Sequence, residues 1–161
     1  MKLLDFLFSS KKNEKSEKSS HSSGLQKADF YVAGVFYYEK NIYKLAKINP
    51  DFDKDFSQLC DDNHPIKKVY KYSFTHKPVY LIPEPTNKHD KNAIIVQIAG
   101  QQVGHIQRDE TELVRELLKK NVKYISAFIS GGPYKIAYLT GNENMLDDQL
   151  SVSVRIAYTD C

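Results

Sequence analysis

The side chains best suited to chemistry lie in residues 81–110, LIPEPTNKHDKNAIIVQIAGQQVGHIQRDE, which hold Asn87, His89, Asp90, His105 and Arg108. His105 with Asp90 would make an acid–base pair, the main catalytic arrangement these residue types allow. Nothing around them completes an enzyme. The five histidines stand at 21, 64, 76, 89 and 105, with no HExxH and no paired spacing for zinc. There is no phosphate-cradling P-loop, no GxGxxG and no GxSxG. Asp51, Asp53 and Asp55 have the spacing of the first calcium-loop ligands, but the glycine at loop position six and the glutamate at twelve are missing. Cys60 and Cys161 do not form a CxxC and cannot build a disulfide framework, so a reducing cytoplasm is the expected compartment. The expectation is a protein that binds rather than catalyses, without metal or cofactor.

The elements that must position these residues are mostly strands. Residues 29–38, DFYVAGVFYY, are aromatic and β-branched, and the glycine inside suggests a bulge or a close backbone approach. Further strands are expected at 66–74, 78–83, 92–98, 102–106, 122–130, 134–140 and 149–158. Ile94, Val96 and Ile98 alternate, and Ala99-Gly100-Gln101 turns the chain into a hairpin. Gly131-Gly132-Pro133 reads as another turn. One helix is clear, about 109–121. Asp109 stands at its cap, Glu112 in the capping-box place, and Leu113, Val114, Leu117 and Leu118 on its apolar stripe. The acidic stretch 49–65 reads as a solvated insertion with a short helix near Phe52–Cys60. Short strands with turns every ten or so residues predict a mostly β domain, a small OB-like barrel of about six to eight strands, over 29–158, with an insertion at about 39–77.

Before that domain, residues 9–24 hold seven Ser, four Lys and no apolar residue, so 9–28 reads as a flexible linker. MKLLDFLF, residues 1–8, would place Leu3, Leu4, Leu7 and Phe8 on one side of a helix. It is either a hook for a protein groove or membrane surface, or an idle terminus. No run approaches the roughly 18 apolar residues of a membrane span. The chain has 23 Lys and Arg against 20 Asp and Glu; residues 1–28 take six and three of these, leaving 17 of each in 29–161. The excess positive charge belongs to the tail. A nucleic-acid site on the folded part has to be a local patch, and tight binding to random duplex is not expected.

The block Asn87-x-x-Asp90-x-Asn92-Ala93-Ile94-x-Val96, preceded by the Glu84-Pro85 step and followed by Val103-Gly104-His105-Ile106 and a basic residue, resembles the core signature of the HIRAN domain. Val32-Ala33-Gly34-Val35-Phe36-Tyr37-Tyr38 looks like the family's opening strand, and the likeness covers about 29–158. The resemblance implies an OB-like barrel. In eukaryotic fork-remodelling ATPases this module captures the 3′ end of single-stranded DNA; bacterial and phage proteins carry it too. Hydrolase or helicase labels belong to the fused ATPases, and any remodelling here would need an ATPase or other partner in trans.

By that resemblance Tyr37 is the stacking candidate, supported by Tyr38; stacking is worth roughly 1–3 kcal/mol per base and tolerates any sequence. Both are otherwise ordinary strand aromatics of the core. Asp90 would accept the 3′-hydroxyl and repel a phosphate there, unless it is only a turn aspartate bonding its own backbone. Asn87 has the same two roles open. His105 and Arg108 are the phosphate-side candidates, with exposed Lys88 and Lys91 flanking Asp90. Two positions depart from DNA-binding members: His89 stands where they place a second aromatic, and Phe36 where they have a basic residue. Each departure implies weaker binding, and the lost phosphate contact flattens the salt dependence by about one unit of slope. Two functions follow: a module for single-stranded or 3′-terminal DNA, in repair, replication or phage processes, or a scaffold docked on a protein or membrane through residues 1–8.

Overall fold

A computed structural model describes residues 24–160. The hook expected at 1–8 and most of the linker at 9–28 lie outside the described residues. The chain forms β1 (Gln26–Ala33), a tight helical turn at Val35–Tyr38, α1 (Glu39–Tyr43), β2 (Lys47–Ile48), a second such turn at Pro50–Asp53 and α2 (Phe56–Leu59). Then come β3 (Ile66–Tyr70), β4 (Tyr72–Ser73), β5 (Val79–Pro83), β6 (Ile94–Ile98), β7 (Gln101–Ile106), α3 (Thr111–Leu118), β8 (Asn121–Tyr138) and β9 (Glu143–Thr159). Seven strands make one antiparallel sheet in the order β3-β8-β9-β1-β7-β6-β5, and β2 pairs with β4. This is the expected mostly β, OB-like fold.

Alternation builds the core. Ile94, Val96 and Ile98 of β6, Phe30 and Val32 of β1, and Val152, Val154 and Ile156 of β9 all point inward and are buried. Val114 and Leu117 of α3 join the same cluster. Ile98 and Gln101 pair across a two-residue loop in which Ala99 and Gly100 both have positive φ, at 45° and 80°. That is the turn geometry whose twist matches a hairpin.

Several local expectations are corrected. β1 begins at Gln26 and stops at Ala33, because Gly34 adopts a left-handed φ of 75°; Phe36, Tyr37 and Tyr38 ride the helical turn, not a strand. Residues 66–74 make two strands. The Gly131-Gly132-Pro133 segment does not reverse the chain: β8 runs through it with a bulge against β9. A Cβ on Gly131 would lie 2.3 Å from the Gln149 carbonyl oxygen, so the bulge admits only glycine. α3 starts at Thr111, and no side chain caps it. The Glu110 amide bonds the Gln107 carbonyl at 3.0 Å, which folds Asp109 into a tight turn away from the helix end. Leu113 is exposed; Thr111, Val114 and Leu117 are the inward line.

In the acidic insertion the short helix is α2. Its capping box closes between Asp55 and Gln58, the Gln58 amide to Asp55 at 3.1 Å and the Asp55 amide to Gln58 Oε1 at 3.1 Å. Asp51 bonds Lys54 at 2.5 Å. No helix among the described residues is long and apolar enough to cross a membrane.

Candidate nucleic-acid interface

The site is built where the end of β1 meets β7. Gly104 makes that approach possible: a Cβ there would stand 2.4 Å from the Ala33 carbonyl oxygen and 2.5 Å from Val32 Cγ1. The close approach pairs Ala33 with His105. Immediately beyond Ala33, the left-handed Gly34 starts the helical turn, and the Tyr37 amide closes it on the Gly34 carbonyl at 3.0 Å.

This turn sorts the aromatics. Tyr37 is 84% exposed and Phe36 is exposed beside it, the two rings meeting edge to face with centroids 5.8 Å apart. Tyr38 is half-buried. Its hydroxyl accepts from Gln102 Nε2 at 2.9 Å, and its ring lies 6.3 Å from that of His105. Tyr37 is therefore not a core aromatic.

The loop from β5 to β6 supplies the polar groups and is built by its own side chains. The Glu84 amide bonds the Ala93 carbonyl at 2.9 Å, closing the loop at its base. Asn87 Oδ1 accepts the amides of His89 at 2.9 Å and Asp90 at 3.0 Å, and its Nδ2 donates to Glu84 Oε2 at 2.7 Å. Asp90 Oδ1 accepts the Asn92 amide at 2.9 Å. Both are Asx turns, so the turn role anticipated for each is occupied. Asp90 Oδ2 takes no part in the turn; it lies 3.7 Å from Arg108 Nε, a long pairing in which the aspartate side chain is 19% exposed and the arginine 80%.

His105 joins this network through Glu84. Its Nε2 lies 3.0 Å from Glu84 Oε2, the oxygen that also accepts from Asn87. Glu84, not Asp90, is the carboxylate on His105, so the His105–Asp90 pairing that the residue types would allow is not formed. A carboxylate only accepts, so Nε2 carries the proton, and in the neutral ring Nδ1 is left as an acceptor. The Asn87 amide, and after it His105, hold the Glu84 carboxyl below the ordinary glutamate range. Sequence reasoning used Glu84 only as half of the Glu-Pro step and assigned it no role; that step was its signal. His89 and the neighbouring Lys88 and Lys91 are exposed on the loop, and the His89 ring makes no hydrogen bond or ring contact.

The structure thus links Tyr38, Asn87, Asp90, His105 and Arg108 through one set of contacts, with Glu84 at the hub and Tyr37 on the adjoining turn. Among the described residues no group of three or more His, Cys, Asp or Glu could hold a metal ion. Chemically the arrangement offers an open aromatic face, a carboxylate side chain that is only 19% exposed and an exposed cation. The family model of the HIRAN domain matches residues 26–154. No curated protein and no solved structure matches the chain.

Proposed function

The chain belongs to the HIRAN domain family, a family of DNA-binding modules, and from that premise we propose that it binds single-stranded DNA by its 3′-hydroxyl end. The observation that carries this reading is the exposed Tyr37 ring beside a polar network in which one carboxylate oxygen of Asp90 remains uncommitted to the loop. The terminal base stacks on Tyr37. Asp90 Oδ2 accepts the 3′-hydroxyl; its other oxygen is anchored by the Asn92 amide, which fixes the rotamer before the ligand arrives.

Selectivity for a free end follows from charge. A 3′-phosphate would bring two or so negative charges against a carboxylate that is only 19% exposed, where repulsion is poorly screened. Arg108, long-paired and exposed, is free to turn toward the preceding phosphate. His105 Nδ1 becomes a phosphate donor only when the ring takes a second proton, because Nε2 is held by Glu84. Phe36 supplies no charge beside Tyr37, so the reading predicts weak binding with a shallow salt dependence.

Fluorescence anisotropy at low salt, with a labelled strand of about ten nucleotides, tests this directly. Binding to the 3′-hydroxyl strand and not to its 3′-phosphate counterpart is the expected result. Equal binding to both would leave a single-strand site without an end pocket. No binding to either would overturn the proposal and favour the docking scaffold.

A further inference from the structure

Beyond the Tyr37 turn, three cavities lie side by side across the outer face of the sheet. The first, about 370 Å³, is bounded by Tyr31, Phe36 and Gln107. The second, about 260 Å³, shares Tyr31 and adds Phe128, Ser153 and Arg155. The third, about 550 Å³, shares Phe128 and Arg155 and ends at His76 and Lys77. Shared walls make them one shallow path that starts at the residue beside Tyr37.

The path is floored by β1, β9 and β8. Tyr31 pairs with Ser153, and Ser153 with Phe128, so the two aromatics stand two strand spacings apart, about 10 Å. Tyr31 is 64% exposed and Phe128 43%. Arg155 lies over the Phe128 ring, 5.1 Å from its centroid, and Asp29 holds the guanidinium in a two-pronged pair at 2.7 and 2.8 Å. The His76 ring stands nearly perpendicular to that of Phe128 at 6.0 Å. Arg155, Lys77 and Asp29 are the charged residues lining these cavities, two cations and one carboxylate.

We propose that this path carries the single strand that trails behind the captured 3′ end, with bases stacking on Tyr31 and on the Phe128–Arg155 pair. The inference rests on the end-binding reading, which places the last nucleotide at Tyr37. Sequence-tolerant strand binding needs aromatic platforms interleaved with cations, and the path has both. The platform separation equals roughly three stacked-base rises of 3.4 Å, so each ring serves a different nucleotide. Ser126 and Ser153, the outer-face residues paired with Arg155 and with Tyr31, add uncharged hydroxyl donors that suit phosphate or sugar and read no base. Beyond the Asp29–Arg155 pair the path carries one further charge, the Lys77 cation, which suits a phosphate.

The test compares 3′-hydroxyl strands of about four and about twelve nucleotides on the full chain, by anisotropy, with Tyr31→Ala, Phe128→Ala and Phe128→Trp. The wild type should bind the longer strand more tightly. Each alanine variant should lose about fivefold to a hundredfold on the long strand and stay within about twofold on the short one. Phe128→Trp should hold or raise long-strand affinity. Two results overturn the path while the end reading stands: wild-type affinity that does not grow with length, or alanine variants that bind the long strand like the wild type. Equal losses on both lengths, with circular dichroism unchanged, also overturn it, since the residues would then act at the end pocket. A wild type that binds neither strand overturns the end reading and the path together.

Discussion

Tyr37→Ala separates a binding role from a structural one more cleanly than any other substitution in the site. A buried tyrosine hides about 200 Å². At 84% exposure Tyr37 hides about 30 Å² of that, which at about 25 cal/mol per Å² is less than about 1 kcal/mol of folding stability. Its hydroxyl makes no bond in the site, and its backbone closure on Gly34 survives truncation. The melting temperature should therefore fall by no more than about 3 °C. Stacking of one base is worth roughly 1–3 kcal/mol, so the dissociation constant for a 3′-hydroxyl strand should rise about 5- to 150-fold. Calorimetry and anisotropy on the same preparation give both numbers. Affinity within about twofold of wild type would refute the stacking role. A drop in stability as large as a core truncation would refute the claim that the ring is peripheral.

Asp90→Asn keeps an oxygen for the Asn92 amide, so the loop should hold; discrimination between 3′-hydroxyl and 3′-phosphate ends should collapse, as read by competition between the two strands. Arg108→Ala should leave stability within about 0.5 kcal/mol and reduce the slope of log affinity against log salt by about one, measured over a salt titration. Gly104→Ala should destabilise by well over about 1 kcal/mol in urea unfolding, because the new Cβ meets the Ala33 carbonyl at 2.4 Å. Glu84 has a folded pKa lowered below its usual value of 4.5 by Asn87 and then His105, so its contribution is present above that value and is lost as the pH falls through the folded one. The stability gap between wild type and Glu84→Gln should shrink in that acid window; urea unfolding that shows a constant gap from about pH 7 to about pH 3 would contradict the network.

Where local pattern and tertiary demand agree, the sequence was a sufficient guide. The β6–β7 hairpin was legible because Ile94, Val96 and Ile98 alternate and Ala99-Gly100 closes a two-residue turn. Where they disagree it was not. Val35–Tyr38 has the composition of a strand, but the left-handed Gly34 lets the chain leave the sheet, and that departure exposes Tyr37. Gly131-Gly132-Pro133 has the composition of a turn, but pairing with β9 continues on both sides and keeps it in the strand as a bulge. The polar residues of the site were legible as types; the contacts among them were not. Glu84 and His105 are 21 residues apart, and only the antiparallel stacking of β5, β6 and β7 brings the carboxylate to the imidazole.

The position of β1 also governs when the site can exist. Its neighbours are β7, reached through Val32 and Ile106, and β9, reached through Gln26 and Tyr158. Both pairings close loops of many tens of residues, the second spanning nearly the whole domain, and such contacts form late because the chain entropy is lost before the sheet energy is gained. On a ribosome that delivers about 5–20 residues per second, β1 waits seconds for its second neighbour, one edge open and Tyr31, Phe36 and Tyr37 without a scaffold. The strand that completes the sheet is thus also the one that completes the surface proposed to bind DNA. A nascent chain shorter than residues 143–159 presents the signature block without a finished surface to display it.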